Sequence, residues 1–560
     1  MSHPNIDDTS ESAINERIIK LCTDSNLLIS PETLQFIKGK EQPFEFLRQT
    51  IDQIVKSEMK PMVLTLDVLN KIVQQKSIQA ETSAATLPVQ EPNISTPVAP
   101  DFPQIETSPK ELTEVQNSSP STLSPDTPAS VSASDILADI IILKDPTGLM
   151  EGEGRIEHVQ EYFRDKFEKL RTLLLKRPDC NGALTIEQAK TQKSSENKVK
   201  IIGMVLEKKE LSAKTSSKVR EVTANSISIE LDDLESTMTV VFSGKNEDLI
   251  KKANRITHDQ VICVEGFVTQ QNTVLIASEF FWPDVPFHQK KPHDIPPISA
   301  VFLSDTHFGS KFFAAAKFEA FLEWLQGEVG TETQQALAKS VKYLVIAGDL
   351  IDGIGVYPTQ EDNLAIFNIS EQYELAAKYL KRIPKHIKIL IIPGGPHDAV
   401  RKAYPQPALT KKYAQSLYTL ENVILLGNPA HIRLHGVYIV IFHGDSIDDL
   451  IRVIPGLDYH KPAEIMKNLL VSRHLTPIYG SSTWIAPERE DWMILDEIPE
   501  ILHCGHTHVS DFKEYRGTIL INSGTFQEET DYQRSLGIKP TPGKIPLINL
   551  QTLKVKFLQF

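Results

Sequence analysis

The sequence predicts a multidomain α/β protein in which a small β-barrel precedes a layered α/β domain. Three features indicate this fold class: a proline-rich segment around residue 100, five short strand-like runs between residues 198 and 290, and five later apolar runs that are each followed by His or Asp residues. At 560 residues the chain is too long for one hydrophobic core, and 41% hydrophobic residues suffice for several.

Residues 1–77 predict a small helical module, and residues 78–133 predict a disordered tether. Ser30 followed by Pro31 is a typical helix start, because Ser caps free N–H groups and Pro is favoured at the first helical position. The tether holds nine of the 35 prolines and no Gly, so it buries too little apolar surface to offset the entropy of ordering. The module is either a docking site or a plain helical bundle, with equal support.

Residues 134–197 predict an amphipathic helical segment packed on the barrel, and residues 198–290 predict the barrel. Apolar residues recur at helical spacing across the first segment, at Ile156, Val159, Phe163, Phe167, Leu170 and Leu174. Five strand-like runs follow, at 199–205, 226–231, 237–242, 261–268 and 273–277, which indicates an OB-like barrel. Basic residues between Lys198 and Arg220 favour nucleic-acid contact, whereas interleaved Glu residues and few aromatics favour a structural barrel more strongly.

Residues 291–560 predict the layered α/β domain, whose strands end in side chains of the metal-binding type. The strand-like runs are 298–303, 343–347, 388–392, 437–442 and 498–502, and helical patterns occupy 313–327, 363–382 and 407–418. Sites in α/β sheets lie beyond the carboxyl ends of strands, so the loops that follow these runs are expected to converge. Their potential ligands are Asp305, His307, Asp349, His397, His443, His506 and His508.

These side chains favour a two-metal site for phosphoester hydrolysis. Carboxylate oxygens and imidazole nitrogens together suit manganese, iron or zinc better than calcium. Seven such groups are enough for two ions if one carboxylate bridges them, and two ions can stabilise both the attacking and the leaving oxygen. His397 is by type a candidate to protonate the leaving group. Each His taken singly is an ordinary core or surface residue, so the prediction depends on the whole set.

Charge and cysteine usage narrow the class of protein further. The net charge of −14 disfavours a global basic surface for nucleic acid, although bound cations can reverse the local field. Four scattered cysteines without a C-x-x-C pair favour a reducing compartment. No apolar run approaches the roughly 20 residues that cross a bilayer, and no signal-peptide pattern opens the chain. We expect a cytoplasmic protein without membrane contact.

The ordered motifs resemble those of a known superfamily. D-x-H at 305–307, G-D-x-x-D at 348–352, H-D at 397–398, His443 and G-H-x-H at 505–508 are similar to the signature of the calcineurin-like metallophosphoesterases. The domain order and the segments 348–358, 397–401 and 522–527 resemble, within that superfamily, the small subunits of archaeal family-D DNA polymerases. This resemblance extends over nearly the whole chain.

The resemblance implies a ligand set and a reaction. The six implied metal ligands, among which Asp349 bridges two ions, are Asp305, His307, Asp349, His443, His506 and His508. The implied catalytic residues are His397 and Asp398. The implied activity is a 3′→5′ exonuclease that proofreads DNA 3′ ends for a separate large polymerase subunit. The implied ion is usually manganese, with magnesium as the alternative. The N-terminal module is a candidate binding site for other replication factors.

Pro396 departs from the family pattern, which has Asn before the catalytic His. Proline offers no side-chain ligand, so a water, a backbone carbonyl or Asp445 would have to complete the second ion site. Asp352 and Asp445 fit equally well as ligands and as partners that orient imidazoles.

The main alternative function is a non-catalytic scaffold that anchors the large polymerase subunit. A third possible function is that of a phosphatase of small molecules or phosphoproteins.

Overall fold

The computed structural model describes residues 18, 21, 28–29, 31–38, 40, 43–56, 63–64, 132–192, 197–211, 225–269, 273–288 and 292–560. The tether predicted at 78–133 lies outside the described residues, except for its last two positions. Two units are distinguished, Met1–Thr107 and Ser108–Phe560. Within the described ranges, every helix is too short or too polar to cross a membrane.

The first unit combines two helices with a two-stranded parallel sheet. Its elements in chain order are β1 (Leu28–Ile29), α1 (Pro31–Lys38), α2 (Pro43–Lys56) and β2 (Val63–Leu64). Helix α1 begins at Pro31, where the sequence places a helix start. Ile37 and Leu47 are fully buried, one on each helix. The pairing of β1 with β2 was not predicted.

The second unit begins with elements that flank the barrel. In chain order they are a 3₁₀ helix (Ala133–Asp135), β3 (Ile140–Lys144), α3 (Ile156–Leu175), a 3₁₀ helix (Pro178–Cys180) and α4 (Ile186–Thr191). Phe167, Leu170 and Leu174 of α3 are buried in one cluster with Met204 and Cys263 of the barrel. From Phe163 onward, the apolar face that gives α3 its helical periodicity is therefore the face that packs on the barrel, whereas Ile156 at the start of the helix is exposed.

Five strands form a closed barrel. Its elements are β4 (Val199–Leu211), β5 (Ser226–Asp232), β6 (Thr237–Phe242), α5 (Glu247–Ala253), β7 (Val261–Val268) and β8 (Val274–Phe281). The strand order is β4-β5-β6-β8-β7, and β7 pairs with β4 to close the ring. Only the pairing of β6 with β8 is parallel among these strands. Alternate residues of each strand fill the interior, since side chains on a strand point to opposite faces.

Four lysines on or next to β4 contact neighbouring groups of the protein. Lys198 and Lys200 both pair with Glu265, at 3.0 and 3.8 Å. The Lys208 ammonium donates to two backbone carbonyls, and that of Lys209 lies 2.6 Å from a Glu207 carboxylate oxygen. Lys214, Lys218 and Arg220 lie outside the described residues. Because these lysines already contact groups of the protein, they favour a structural role for the barrel over a role in binding nucleic acid.

The C-terminal domain contains eleven strands and seven helices among the residues from 292 onward. In chain order they are β9 (Ser299–Leu303), α6 (Ala315–Leu325), α7 (Glu332–Lys339), β10 (Val341–Ala347), α8 (Ile369–Leu380), β11 (Lys388–Ile392), α9 (Gln415–Tyr418), β12 (Val423–Leu425), β13 (Ala430–Leu434), β14 (Val437–Ile441), α10 (Ser446–Val453), α11 (Pro462–Ser472), β15 (Ile501–Cys504), β16 (Ser510–Tyr515), β17 (Thr518–Ser523), α12 (Asp531–Ser535), β18 (Lys544–Asn549) and β19 (Val555–Gln559). A 3₁₀ helix, Gln360–Asn363, precedes α8.

Two six-stranded sheets pack face to face. Their strand orders are β12-β11-β10-β9-β18-β19 and β16-β17-β15-β14-β13-β3. On β9, Ala300 and Phe302 face the second sheet, whereas Val301 and Leu303 face the helices outside the first sheet. Strands buried on both sides are continuous apolar runs, which is why these segments could be recognised in the sequence.

The structure differs from the predicted elements in two places. Residues 140–144, expected within the helical segment 134–197, form strand β3 at the edge of the second sheet, where Ile142 pairs with Ile432. The helix predicted at 407–418 is wrong, since only α9 is helical there. Pro405 precedes this segment and Pro407 is its first residue, and neither has an N–H group for a helical bond. The Tyr418 hydroxyl donates to the Leu409 carbonyl at 2.7 Å.

Candidate metal centre

The five sequence clusters meet at one cavity of about 330 Å³. Each cluster follows or ends a strand: β9, β10 and β11 come from the first sheet, and β14 and β15 come from the second. The convergence therefore involves two sheets rather than one. The cavity wall includes at least one member of every cluster, namely His307, Asp349, His397, His443, His506 and His508.

Backbone strain accompanies the candidate ligands. The φ angles of Asp305, His307, Asp349, His506 and His508 all lie between +49° and +71°, in the left-handed region. A non-glycine residue held outside its preferred backbone region costs roughly 1–3 kcal/mol, and such residues cluster at functional sites. The strain lets residues with one position between them present their side chains to the same point.

Glycines allow the loops to approach each other closely. Gly348 has φ +84°, and a Cβ atom there would lie 2.6 Å from the Gly394 Cα and 2.8 Å from the His443 Nδ1. Both distances are too short for any side chain. The glycine before Asp349 is therefore required for contact between the second, third and fourth clusters.

The first half of the metal centre consists of Asp305, His307 and His508. Potential ligand atoms of these three residues lie within 4.8 Å of one another. The His508 Nε2 is 3.4 Å from the Asp305 Oδ1 and 3.2 Å from the His307 Nε2. Two imidazole nitrogens and a carboxylate oxygen facing one point form a set that suits a divalent cation.

The second half consists of His443, Asp445 and His506. The His443 Nε2 lies 3.7 Å from the Asp445 Oδ1, and the His506 Nδ1 lies 3.2 Å from the same oxygen. The sequence left Asp445 open as either a ligand or an orienting group, and the structure brings its carboxylate to the two imidazoles.

Asp349 lies between the two halves. Its Oδ2 is 3.7 Å from the His307 Nε2 and 3.4 Å from the His443 Nε2. Its Oδ1 is buried and has no hydrogen-bond partner among the residues that the structure describes. An unsatisfied buried carboxylate oxygen is costly, so the residues present fit a bound cation at this position.

Two hydrogen bonds orient imidazoles toward the shared point. The His307 Nδ1 lies 3.1 Å from the Asp352 Oδ1, and the His443 Nδ1 donates to the Ala347 carbonyl at 2.7 Å. In both rings, Nε2 is left to face the other ligands, as is usual when a second group fixes the orientation of a metal-binding His. Asp352 thus contacts His307 as a partner that orients its imidazole ring.

His397 stands at the edge of the cavity and is half-buried. Its Nδ1 donates to the Asp352 carbonyl at 2.7 Å, and its Nε2 is 4.0 Å from the Asp349 Oδ2. The backbone contact fixes the ring, so Nε2 remains available toward the centre.

Comparisons with known proteins show the family. Residues 300–513 match the family model that describes the B subunits of DNA polymerases alpha and epsilon. The DNA polymerase II small subunit of Methanothermobacter thermautotrophicus is 41% identical over 417 residues, which cover 74% of this chain and 82% of that protein. The chain belongs to the family of archaeal DNA polymerase II small subunits. This confirms the family resemblance that the sequence motifs indicate.

A second relative has the same extent of similarity. The DNA polymerase II small subunit of Archaeoglobus fulgidus is 42% identical over 439 residues, covering 78% of this chain and 84% of that protein. A solved archaeal phosphodiesterase matches 46% of this chain and 98% of its own at 12% identity and a TM-score of 0.24.

Asp398 of this family member does not occupy the position expected of a catalytic group. Its carboxylate is buried and accepts backbone N–H groups of Leu350, Ile351 and Gly394, with the shortest bond at 2.7 Å from Gly394. It therefore joins the second and third clusters rather than facing the cavity. These contacts favour a positioning role for Asp398 over the catalytic role that the resemblance implies, and no local pattern indicates it because two of the donors, Leu350 and Ile351, lie in the second cluster.

Sequence reasoning missed two other groups at the site. The Asp448 Oδ1 lies 3.2 Å from the His506 Nε2, and the Gln533 amide nitrogen lies 2.7 Å from the His508 Nδ1. Asp448 follows Asp445 by three residues at the start of α10, a spacing that could have revealed it. Gln533 is in α12, with no motif connecting it to the ligands.

The electrostatics of the centre combine buried acids with imidazoles. Burial raises the pKa of Asp305, whereas for Asp349 the same effect is outweighed by His443, His397 and His307, which hold its pKa below the ordinary value. Burial lowers the pKa of His506, but the Asp448 carboxylate overcomes this and raises it to about 9. The Asp349 carboxylate is thus stabilised by positive neighbours, whereas the buried Asp305 carboxylate is not, and a divalent cation can fill that role for both.

Proposed function

We propose that this chain is a metal-dependent 3′→5′ exodeoxyribonuclease, the proofreading small subunit of a two-subunit archaeal replicative DNA polymerase. The observation that carries the proposal is the gathering of both halves of the metal centre around Asp349, whose Oδ1 has no partner among the described residues. The imidazole–carboxylate set suits manganese better than magnesium, which prefers oxygen ligands and keeps several waters.

Each ion has its own set of proposed ligands, with Asp349 shared between them. Asp305, His307 and His508 would hold the first ion. His443 and His506 would hold the second, and Asp445 would replace the amide that the family pattern has at position 396. Asp445 supports this role by position, because its Oδ1 is within 3.7 Å of nitrogens of both imidazoles.

The chain's own residues suggest how the reaction proceeds. Bound divalent cations would supply Lewis-acid activation of water and of the phosphoryl oxygens. His397 donates its Nδ1 proton to the Asp352 carbonyl, so its Nε2 is the atom that can carry a proton to the leaving 3′-oxygen. Asp352 fixes both His307 and His397, through its carboxylate and its carbonyl. Asp398 holds the loops that carry Asp349 and His397 in contact.

The partners and the barrel class form part of the same proposal. We expect a large catalytic polymerase subunit as the partner, since the relatives are named as small subunits, and DNA 3′ ends as the substrate. The N-terminal module is a candidate contact for other replication factors.

The strand order of the barrel and its single parallel pair support an OB-like fold. Closure by strands that are not consecutive in the chain is the Greek-key arrangement of that fold.

The decisive experiment digests a primer with a 3′ mismatch. The chain, with and without the large subunit, is incubated with the labelled primer–template at saturating manganese. We expect mononucleotides to be released from the 3′ end, with release abolished in His397→Ala while manganese binding is retained. His258→Ala, a change at an exposed barrel histidine, serves as the matched control.

Two results would overturn this function. An intact primer in every reaction, despite bound DNA and manganese, would favour the scaffold alternative. Rapid turnover of a phosphomonoester without any need for a 3′ end would favour a phosphatase.

A further inference from the structure

The rim of the metal cavity carries a stacked pair of tyrosines. The rings of Tyr357 and Tyr532 have centroids 5.6 Å apart and an interplanar angle of 19°. Tyr357 lies next to the catalytic candidate, with its centroid 6.5 Å from that of His397. Tyr532 is 54% exposed, so a large part of the outer ring is accessible from solvent. The pair thus extends from His397 to the mouth of the cavity.

Both rings are connected to the metal centre by hydrogen bonds of neighbouring residues. The Gln360 side chain accepts from the backbone N–H of Val356 and donates to the Asp352 carbonyl, both at 2.8 Å. On the other side, Tyr532 precedes Gln533, whose amide contacts His508. The position of the tyrosines is therefore coupled to residues that orient or form the first half of the metal centre.

The cavity wall carries another aromatic ring together with cationic groups. Trp484 is 58% exposed, and the Lys402 ammonium lies 5.0 Å from its ring centroid. Arg452, also on the wall, donates to the Ser482 hydroxyl at 2.7 Å. A cavity that combines acids and imidazoles with aromatic rings and two cationic side chains suits a ligand that has both phosphates and flat apolar groups.

Nucleobases are such flat groups, and their availability depends on pairing. Stacking of a base on an aromatic side chain is worth roughly 1–3 kcal/mol and tolerates any sequence, because every base has a π-face. Within a duplex, both faces of a base are covered by its neighbours. A base at an unpaired strand end has a face to offer.

We propose that Tyr357 and Tyr532 form a stacking platform for an unpaired base at the 3′ end of a DNA strand. The inference rests on the proposed function and adds the residues that would bind the terminal base of a single-stranded or frayed 3′ end. Sequence-independent stacking would let one platform accept any mismatched terminal nucleotide.

The test compares two oligonucleotides in single-turnover reactions with manganese. One has ordinary nucleotides throughout, and the other has the same length and backbone but lacks bases at its last two 3′ positions. We expect Tyr532→Ala to lower kcat/KM for the first cleavage of the ordinary strand by about 10-fold, within the range that stacking provides. The same variant should cleave the abasic strand at the wild-type rate, and Tyr532→Phe should behave as wild type on both.

A matched control is available far from the cavity. Phe287 is 78% exposed and lies beside His288, whose N–H donates to the Arg516 carbonyl near the amino-terminal end of β17. Because the ligand loops lie at the carboxyl ends of the central strands, Phe287→Ala should leave both reactions unchanged.

The outcomes separate the two proposals. If the wild type cleaves both strands equally well and Tyr532→Ala changes neither, the platform is wrong and the exonuclease stands. An equal loss on both strands would also overturn the platform, since it would show a disturbance of α12 and His508. If the wild type cleaves neither strand, the proposed function and the platform both fail.

Discussion

The two halves of the metal centre differ in how completely the protein encloses them. In the first half, the exposed fractions of the side chains are 0% for Asp305, 3% for His307 and 10% for His508. In the second half, Asp445 is 22% and His506 24% exposed, and only His443 is buried to a similar degree. The first half lies within the protein, whereas the second opens to solvent.

The difference follows from what surrounds each set of ligands. The Asp305 carboxylate accepts the backbone N–H of His506 at 2.9 Å, so the protein holds its oxygens in place without an ion. Asp445 instead accepts a side-chain bond from the Tyr404 hydroxyl, at 2.7 Å. Position 396 has a proline, which supplies no side-chain ligand. A preorganised site costs less to fill, so we expect the first ion to bind more tightly than the second.

The largest effect is expected at the residue that both halves share. Asp349→Asn keeps the size of the side chain and removes the charge that faces His307 and His443. We expect neither manganese ion to bind at millimolar concentration, and the exonuclease rate to fall by at least about 10³-fold, as for loss of a central electrostatic group. Calorimetric titration with manganese and release of labelled terminal nucleotides measure the two effects.

Asp248→Asn provides the control for that charge removal. This side chain is 96% exposed on α5 of the barrel, so binding and rate should match the wild type. Two ions bound by Asp349→Asn with unchanged affinity would show that Asp349 does not bridge the halves.

A smaller effect, confined to one half, is expected from Asp445→Ala. The stoichiometry of bound manganese should fall from two ions to one, while the tighter of the two binding steps is retained, because the first half does not involve Asp445. The rate should fall by roughly 10²-fold, since only one of the two phosphate-stabilising charges is lost. Asp445→Asn should recover part of the second binding step, because an amide oxygen can also be a ligand of a divalent cation. If Asp445→Ala weakened both steps equally, the separation of the halves would be wrong.

The sequence predicted the ligand-bearing strands of both halves but not their assignment to two sheets. Ile298, Val301 and Leu303 belong to a run that is apolar except for Ser299, and the residues of β14 also form an apolar run, because each strand is buried on both faces. A local pattern of this kind identifies a strand and its end. It carries no information about which strands pair, since pairing depends on contacts between distant segments, and the edge strand β3 was missed for this reason.

The site was predictable to the extent that its ligands follow strand ends. Asp305, His307 and Asp349 could be proposed because strand ends in α/β sheets converge. The roles of Asp398 and Gln533 could not, because they depend on partners in other loops. Asp398 accepts the N–H of Leu350, and the Gln533 amide contacts the imidazole of His508.

Asp448 provides a finer test of the more open half. Its carboxylate contacts the His506 Nε2, the ring atom opposite the one that faces Asp445. Loss of a partner that orients a ligating imidazole typically costs 10–100-fold in metal affinity, so Asp448→Asn should weaken the second manganese step by about 10-fold and leave the first unchanged. Electron paramagnetic resonance of free manganese during titration resolves the two steps. An unchanged second step would mean that His506 needs no such support.

The smallest effect, and the only gain, is expected from Pro396→Asn. Position 396 is exposed on the cavity wall, so the N–H that Asn introduces can be solvated. The amide oxygen should tighten the second manganese step by about 5-fold, equivalent to one additional ligand bond of modest strength. Loss of the proline should also lower the free energy of unfolding by about 0.5 kcal/mol, because the unfolded chain gains conformational freedom.

If Pro396→Asn also restores part of the second manganese-binding step in the Asp445→Ala variant, the amide and the carboxylate act on the same ion. If Pro396→Asn leaves the second step unchanged, Asp445 already completes the site and the openness of this half has no energetic consequence.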